Sequence, residues 1–144
     1  MGISLYNDRE ERTVIYLDLK QKRIVMDRSE SGLTDFGKLS NRSKKEQSAD
    51  EAAGKGNRIQ DRVVNFKNDF ALGTWAPLSL CGADKKSYHL DVFVDKCSVE
   101  LFVDGGRIAM TNLVFPTAPY NNVKVYAEGG KAEVKNFNVY KLGL

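Results

Sequence analysis

A chain of 144 residues suits one compact domain, because two halves would each sit near the lower size limit for independent folding. Hydrophobic residues at 42% and charged residues at 28% are the proportions of a folded protein and exclude global disorder. Twenty-two Lys and Arg against nineteen Asp and Glu leave a net charge of +3, too small a surplus to imply a nucleic acid or an anionic membrane as partner.

Period-2 alternation dominates the chain. In Thr13–Leu19 the positions Ile15, Leu17 and Leu19 share one face of an extended strand. Lys20-Gln21-Lys22 then connects to a second strand over Arg23–Arg28, so the pair reads as a hairpin. Residues Lys38–Asp61 hold hardly any large apolar group and read as a long surface loop, with one helical turn possible over residues 44–53. Alternation resumes with Leu90, Val92 and Val94, and again with Val99, Leu101 and Val103. Asp104-Gly105-Gly106 is a hairpin turn signal. Ile108–Phe115 follows as a strand that Pro116 ends for want of an N–H. A last hairpin is expected from Asn122–Glu128 and Lys131–Leu142 around Gly129-Gly130, with a bulge near Asn136 to absorb a phase slip between Val134 and Phe137. Eight to ten short strands without a helical period indicate an all-β protein, an antiparallel two-sheet sandwich.

Most catalytic templates fail on residue supply. His89 is the only histidine, which excludes a metal site built on several, and its place beside Asp91 on a strand favours a partly exposed structural role. Gly54-Lys55-Gly56 lacks the strand and helix that frame a phosphate loop. Cys81 is expected to end a strand and Cys97 to open one; they lack Cys-x-x-Cys spacing and read as inert free thiols. Asp27, Glu30, Asp95, Glu100 and Asp104 could supply a carboxylate pair only at a separation that sequence does not define, so outward strand positions and turn caps are the simpler reading. No metal or other cofactor is expected. No apolar run approaches the ~18 residues that span a bilayer, so no membrane insertion is expected. Asp8, Arg9, Glu10 and Glu11 occupy the place of a signal peptide's apolar core, yet in a fragment of a longer polypeptide that leaves secreted, periplasmic and cytoplasmic locations all open.

Two stretches carry a recognisable signature. Ile24-Val25-Met26-Asp27-Arg28-Ser29-Glu30-Ser31-Gly32 resembles an "LDRS-x-SG" element. Leu90 to Arg107 resembles a "VDxSSVEVFVNDGR" hairpin, and Val114-Phe115-Pro116 the "iFP" strand end after it. In this order they resemble the C-terminal β-sandwich of glycoside hydrolase family 32, which comprises invertases, levanases, inulinases and sucrose-6-phosphate hydrolases. The likeness runs from about Ile3 to Leu142, with Lys38–Asp61 as a divergent insertion. Cys97 stands where the family usually has Ser, and Gly105 where Asn or Asp is common.

The resemblance implies a concanavalin-like jelly roll attached to an N-terminal five-bladed propeller that does the catalysis. There the family uses an Asp in a Trp-Met-Asn-Asp-Pro-Asn-Gly stretch, an Arg-Asp-Pro and a Glu-Cys. Here Pro77, Pro116 and Pro119 follow Ala76, Phe115 and Ala118, and the cysteines follow Leu80 and Lys96, so none of these stretches occurs. The chain alone is therefore expected to have no catalytic residues. The motif residues Asp27, Arg28, Ser29, Asp95, Glu100, Phe102, Phe115 and Pro116 are expected to be structural. Phe93 and Phe102 alternate with Asp91, Asp95, Ser98 and Glu100, so they either form a docking surface for the propeller or fill the second side of a thick core. The alternative function is a carbohydrate-binding module for fructan or other oligosaccharides, using Trp75 and Tyr120 near loop ends, although core packing is the simpler role for Trp75. A lectin-like adhesion sandwich is a further alternative, since "VELFVDGGR" also resembles laminin-G-type hairpins.

Overall fold

The computed structural model describes residues 1–34 and 73–143, so the polar stretch Lys38–Asp61 lies outside the described residues. Eight strands are present among them. They are β1 (Gly2–Tyr6), β2 (Arg12–Asp18), β3 (Arg23–Asp27), β4 (Thr74–Pro77), β5 (Leu90–Val94), β6 (Ser98–Val103), β7 (Ile108–Leu113) and β8 (Asn122–Tyr126). One sheet has the order β4-β3-β2-β1-β8 and the other β5-β6-β7, and every pairing is antiparallel. The three-stranded sheet and the β1-β2-β3 part of the larger one join sequence neighbours through short turns, whereas β4 and β8 add to the larger sheet from far along the chain.

The sheets face each other across one apolar layer, and the chain is a β-sandwich. Ile15, Ile24 and Met26 of the larger sheet and Val99, Leu101 and Val103 of the smaller are each at most 1% exposed. Leu78 and Cys81, on a 3-10 turn after β4, cap the same cluster together with Val114. Truncating a side chain in such a layer costs about 2–5 kcal/mol, because lost transfer energy and residual cavity add. The β6 pattern is decisive for orientation: its odd positions are buried, so Glu100 and Phe102 point to the opposite face.

Three expectations require correction. Leu19 does not share the core face with Ile15 and Leu17: β2 ends at Asp18, and Leu19 lies in the turn, 68% exposed. Asp18 caps that turn by accepting from Gln21 N at 3.0 Å. Cys81 sits in the 3-10 turn and not at a strand end. The hairpin partner expected over Lys131–Leu142 does not form, and Val134, Phe137, Val139, Tyr140 and Leu142 are exposed. Asn136 has φ +55°, which breaks the extended path at the phase slip. The apolar residues before and after it lie on opposite faces, so no single register would bury both sets.

Candidate functional site

The outer face of the three-stranded sheet follows from register. Asp91, Phe102 and Ala109 form one cross-strand row, and Phe93, Glu100 and Thr111 the next. The rings of Phe93 and Phe102 meet edge to face, with centroids 5.9 Å apart and planes at 83°. Phe93 is 46% exposed and Leu113, further along the same face, 52%. With Val99, Leu101 and Val103 already filling the inner side, these phenylalanines do not belong to the core between the two sheets. Glu100, beside them, accepts a long bond of 3.5 Å from Thr111 Oγ1.

The motif residues tie the two sheets together. Asp27 ends β3 and accepts from Ser29 N at 2.8 Å, a local turn bond typical of Asp. That turn sends Arg28 across the sandwich, where its Nη1 donates to the Leu113 carbonyl at 2.8 Å. Burial lowers the Arg28 pKa from its usual value. Four residues after Arg28, Gly32 has φ +126°, and a Cβ placed there would stand 2.5 Å from the Phe115 carbonyl oxygen and 2.6 Å from Pro116 Cα. Leu33 N donates to that same carbonyl at 2.9 Å. The two separated motifs therefore meet in space. Tyr120 completes the junction, its hydroxyl donating to the Ser31 carbonyl at 2.7 Å and lying 3.0 Å from Thr13 Oγ1, with its ring against the core. Its place is inside this junction, with the ring edge unavailable as an open platform.

The remaining candidates shape turns. Asp95 accepts from Lys96 N at 2.7 Å between β5 and β6. Asp104 accepts from His89 N at 2.8 Å and from Lys85 Nζ, anchoring the β6–β7 turn to the start of β5. Burial would raise the Asp104 pKa, but the His89 amide, the Lys85 ammonium and the Cys81 thiol outweigh it and hold the carboxylate below its usual value. His89 Nε2 lies 3.2 Å from an Asp91 carboxylate oxygen on the exposed edge. Cys81 is buried and Cys97 exposed, and both are free thiols. No cluster of His, Cys, Asp and Glu suited to a metal is present among the described residues.

The outer face of the five-stranded sheet holds a feature that period-2 reading missed. Trp75, Val25, Tyr16, Gly2 and Tyr126 stand in one cross-strand row, one from each strand. Trp75 is not a core residue: it is 60% exposed at the β4 edge, and the Arg23 guanidinium lies 5.7 Å from its ring centroid. Tyr126 folds over Gly2, where a Cβ would come within 2.4 Å of its ring. Beside the two tyrosines a cleft of about 160 Å³ is lined by Arg12, Val14, Asp27, Ser29 and Glu30. Arg12 and Glu30 pair across its rim, and Arg12 N donates to the Glu30 carbonyl at 2.8 Å. Only the strand order brings the aromatic row together, because Trp75, Tyr16 and Tyr126 come from distant parts of the chain, whereas the rest of the cleft lining comes from β2 and the end of β3.

The sequence and fold have recognisable relatives. Over 141 residues the chain is 27% identical to a levanase of Bacillus sp. (strain L7), covering 98% of this chain and 12% of that protein. Over 56 residues it is 38% identical to the levanbiose-producing levanase of Bacillus subtilis (strain 168), 39% of this chain and 11% of that one. The structure of exo-inulinase from Aspergillus awamori superposes with a TM-score of 0.57 at 23% identity, covering 90% of this chain and 19% of that one. The chain thus spans less than a fifth of the relatives it matches. The family model described as glycosyl hydrolases family 32 C terminal matches residues 1–141, and the chain belongs to that family of C-terminal domains.

Proposed function

We propose that this chain is the non-catalytic sandwich module of a β-fructosidase acting on sucrose or fructans, and that it packs through the Phe93–Phe102 face against an N-terminal catalytic propeller of the same polypeptide. The observation that carries this reading is the edge-to-face phenylalanine pair on an outer sheet face, with Leu113 exposed alongside. An apolar centre with a polar rim, here Asp91, Glu100 and Thr111, is the composition of a protein interface. The relatives support the choice of occupant, since each levanase is at least three times as long as this chain. The Asp-Pro and Glu-Cys stretches that the family resemblance assigns to catalysis do not occur in it.

Two measurements on the purified 144-residue chain test this reading. Incubation with sucrose, levan and inulin should release no fructose, and release would refute the non-catalytic assignment. The double variant Phe93→Ser, Phe102→Ser should remain folded and soluble with a melting temperature close to that of the parent chain. Unfolding of the variant would return both rings to a core and remove the docking surface.

A further inference from the structure

We propose that the outer face of the five-stranded sheet binds a neutral oligosaccharide, with Tyr16 and Tyr126 as stacking platforms and Arg12, Asp27 and Glu30 as partners of its hydroxyls. This site lies on the sheet opposite the Phe93–Phe102 face and does not rest on the docking reading.

Strand spacing sets the scale. Neighbouring strands are ~4.8 Å apart, so Trp75, Tyr16 and Tyr126, on alternate strands of one row, recur every ~10 Å across the sheet. An extended oligosaccharide covers that spacing, and a single monosaccharide does not. Between the rings lie Val25, only 7% exposed although it points away from the core, and Gly2, which provides backbone alone. The floor is thus low, with Val25 between Trp75 and Tyr16 and the Tyr126 ring lying over Gly2. Ring faces of this kind take up the C–H side of a sugar, and the tyrosine hydroxyls keep one end of each ring polar.

The rim supplies the polar half of the recognition. In the Arg12–Glu30 pair both side chains remain about half exposed, at 52% and 57%. A guanidinium beside a carboxylate matches a vicinal diol, since one hydroxyl accepts from the cation while its neighbour donates to the anion. Asp27 Oδ1 is held by Ser29 N, and Asp27 lines the same cleft. Tyr126 is close enough to feel this group: after burial and Glu128, the charges of Tyr16, Arg12 and Asp27 all act on its hydroxyl. One cation against two carboxylates in the lining disfavours a phosphorylated sugar. A protein partner is less suited here than on the opposite face, because the cleft is small and rimmed by an ion pair.

The test is an NMR titration of the isotopically labelled 144-residue chain with an inulin-type oligosaccharide. Saturable shifts at millimolar sugar, confined to Gly2, Tyr16, Val25, Trp75, Tyr126 and their neighbours, are expected. Tyr16→Ala and Tyr126→Ala should abolish them while the rest of the spectrum stays dispersed, and Tyr16→Phe should retain them. Arg12→Gln and Glu30→Gln should each weaken binding about tenfold. The proposal is overturned by absence of shifts, by shifts that survive both alanine variants, or by tighter binding of a sugar phosphate. It is equally overturned if the same amides respond only to an added levanase catalytic domain, which would make this face a protein contact.

Discussion

Arg28 leaves the end of β3 and donates through Nη1 to the main-chain carbonyl of Leu113 on β7, 2.8 Å away, so one side chain joins the two sheets of the sandwich. The bond links the first family motif to the strand that leads into Phe115-Pro116. Arg28→Ala removes a charge-assisted bond and should cost about 1–2 kcal/mol, at the low end for such bonds because the site is partly solvated. Denaturant unfolding measures this directly, and an unchanged midpoint would remove the inter-sheet tie from the account.

Gly32 meets the other end of that junction. Alanine there would have to adopt φ +126° and place its Cβ 2.5 Å from a backbone oxygen, and neither demand is met by moving a flexible side chain. Gly32→Ala should destabilise the chain by at least ~2 kcal/mol. A thermal melt within a degree or two of the parent would contradict the close approach of the two motifs.

Glu11 gives the fold an acid-side sensitivity. Burial pushes its pKa up, but bonds from Thr117 Oγ1 (2.7 Å), Asn7 Nδ2 (2.7 Å) and Thr117 N (2.8 Å) outweigh burial and hold the folded-state value below the ordinary one. A depressed carboxylate contributes stability above its unfolded pKa, roughly 4.3, and that contribution is lost as pH falls through the lower folded value. Glu11→Gln should therefore flatten the acid limb of a stability-against-pH curve and leave the limb above neutrality unchanged. An acid limb identical in both proteins would assign the effect elsewhere.

The two thiols should separate kinetically. Cys97 is exposed, whereas burial and the neighbouring Asp104 charge raise the Cys81 pKa. The thiolate is the reactive form, so under native conditions one equivalent of a thiol reagent should react promptly and the second only on unfolding. Fast reaction of two equivalents in native buffer would show that the Cys81 turn opens readily.

Much of this architecture was legible because alternation is a local property. The β5–β6–β7 ladder, its turns and the buried triplet Val99, Leu101 and Val103 follow from period-2 spacing alone. So did the outward aim of Phe93 and Phe102, although sequence left open whether a second layer covered them. The segment Lys131–Leu142 misled for a physical reason: alternation signals strand potential, but pairing also needs one unbroken register, which Asn136 interrupts. Trp75 misled because a large ring suggests burial, whereas strand order places it on an edge facing away from the core. The Tyr16–Tyr126 cleft was invisible since it depends on β1 lying between β2 and β8, a long-range pairing that no local pattern encodes.

The docking claim is tested most directly by placing Phe93→Ser and Phe102→Ser in the full-length polypeptide that carries this chain and comparing its melting temperature with that of the 144-residue chain bearing the same changes. The account predicts a fall of several degrees in the full-length protein and little change in the isolated module. Equal effects in both contexts, or none in the full-length protein, would contradict it.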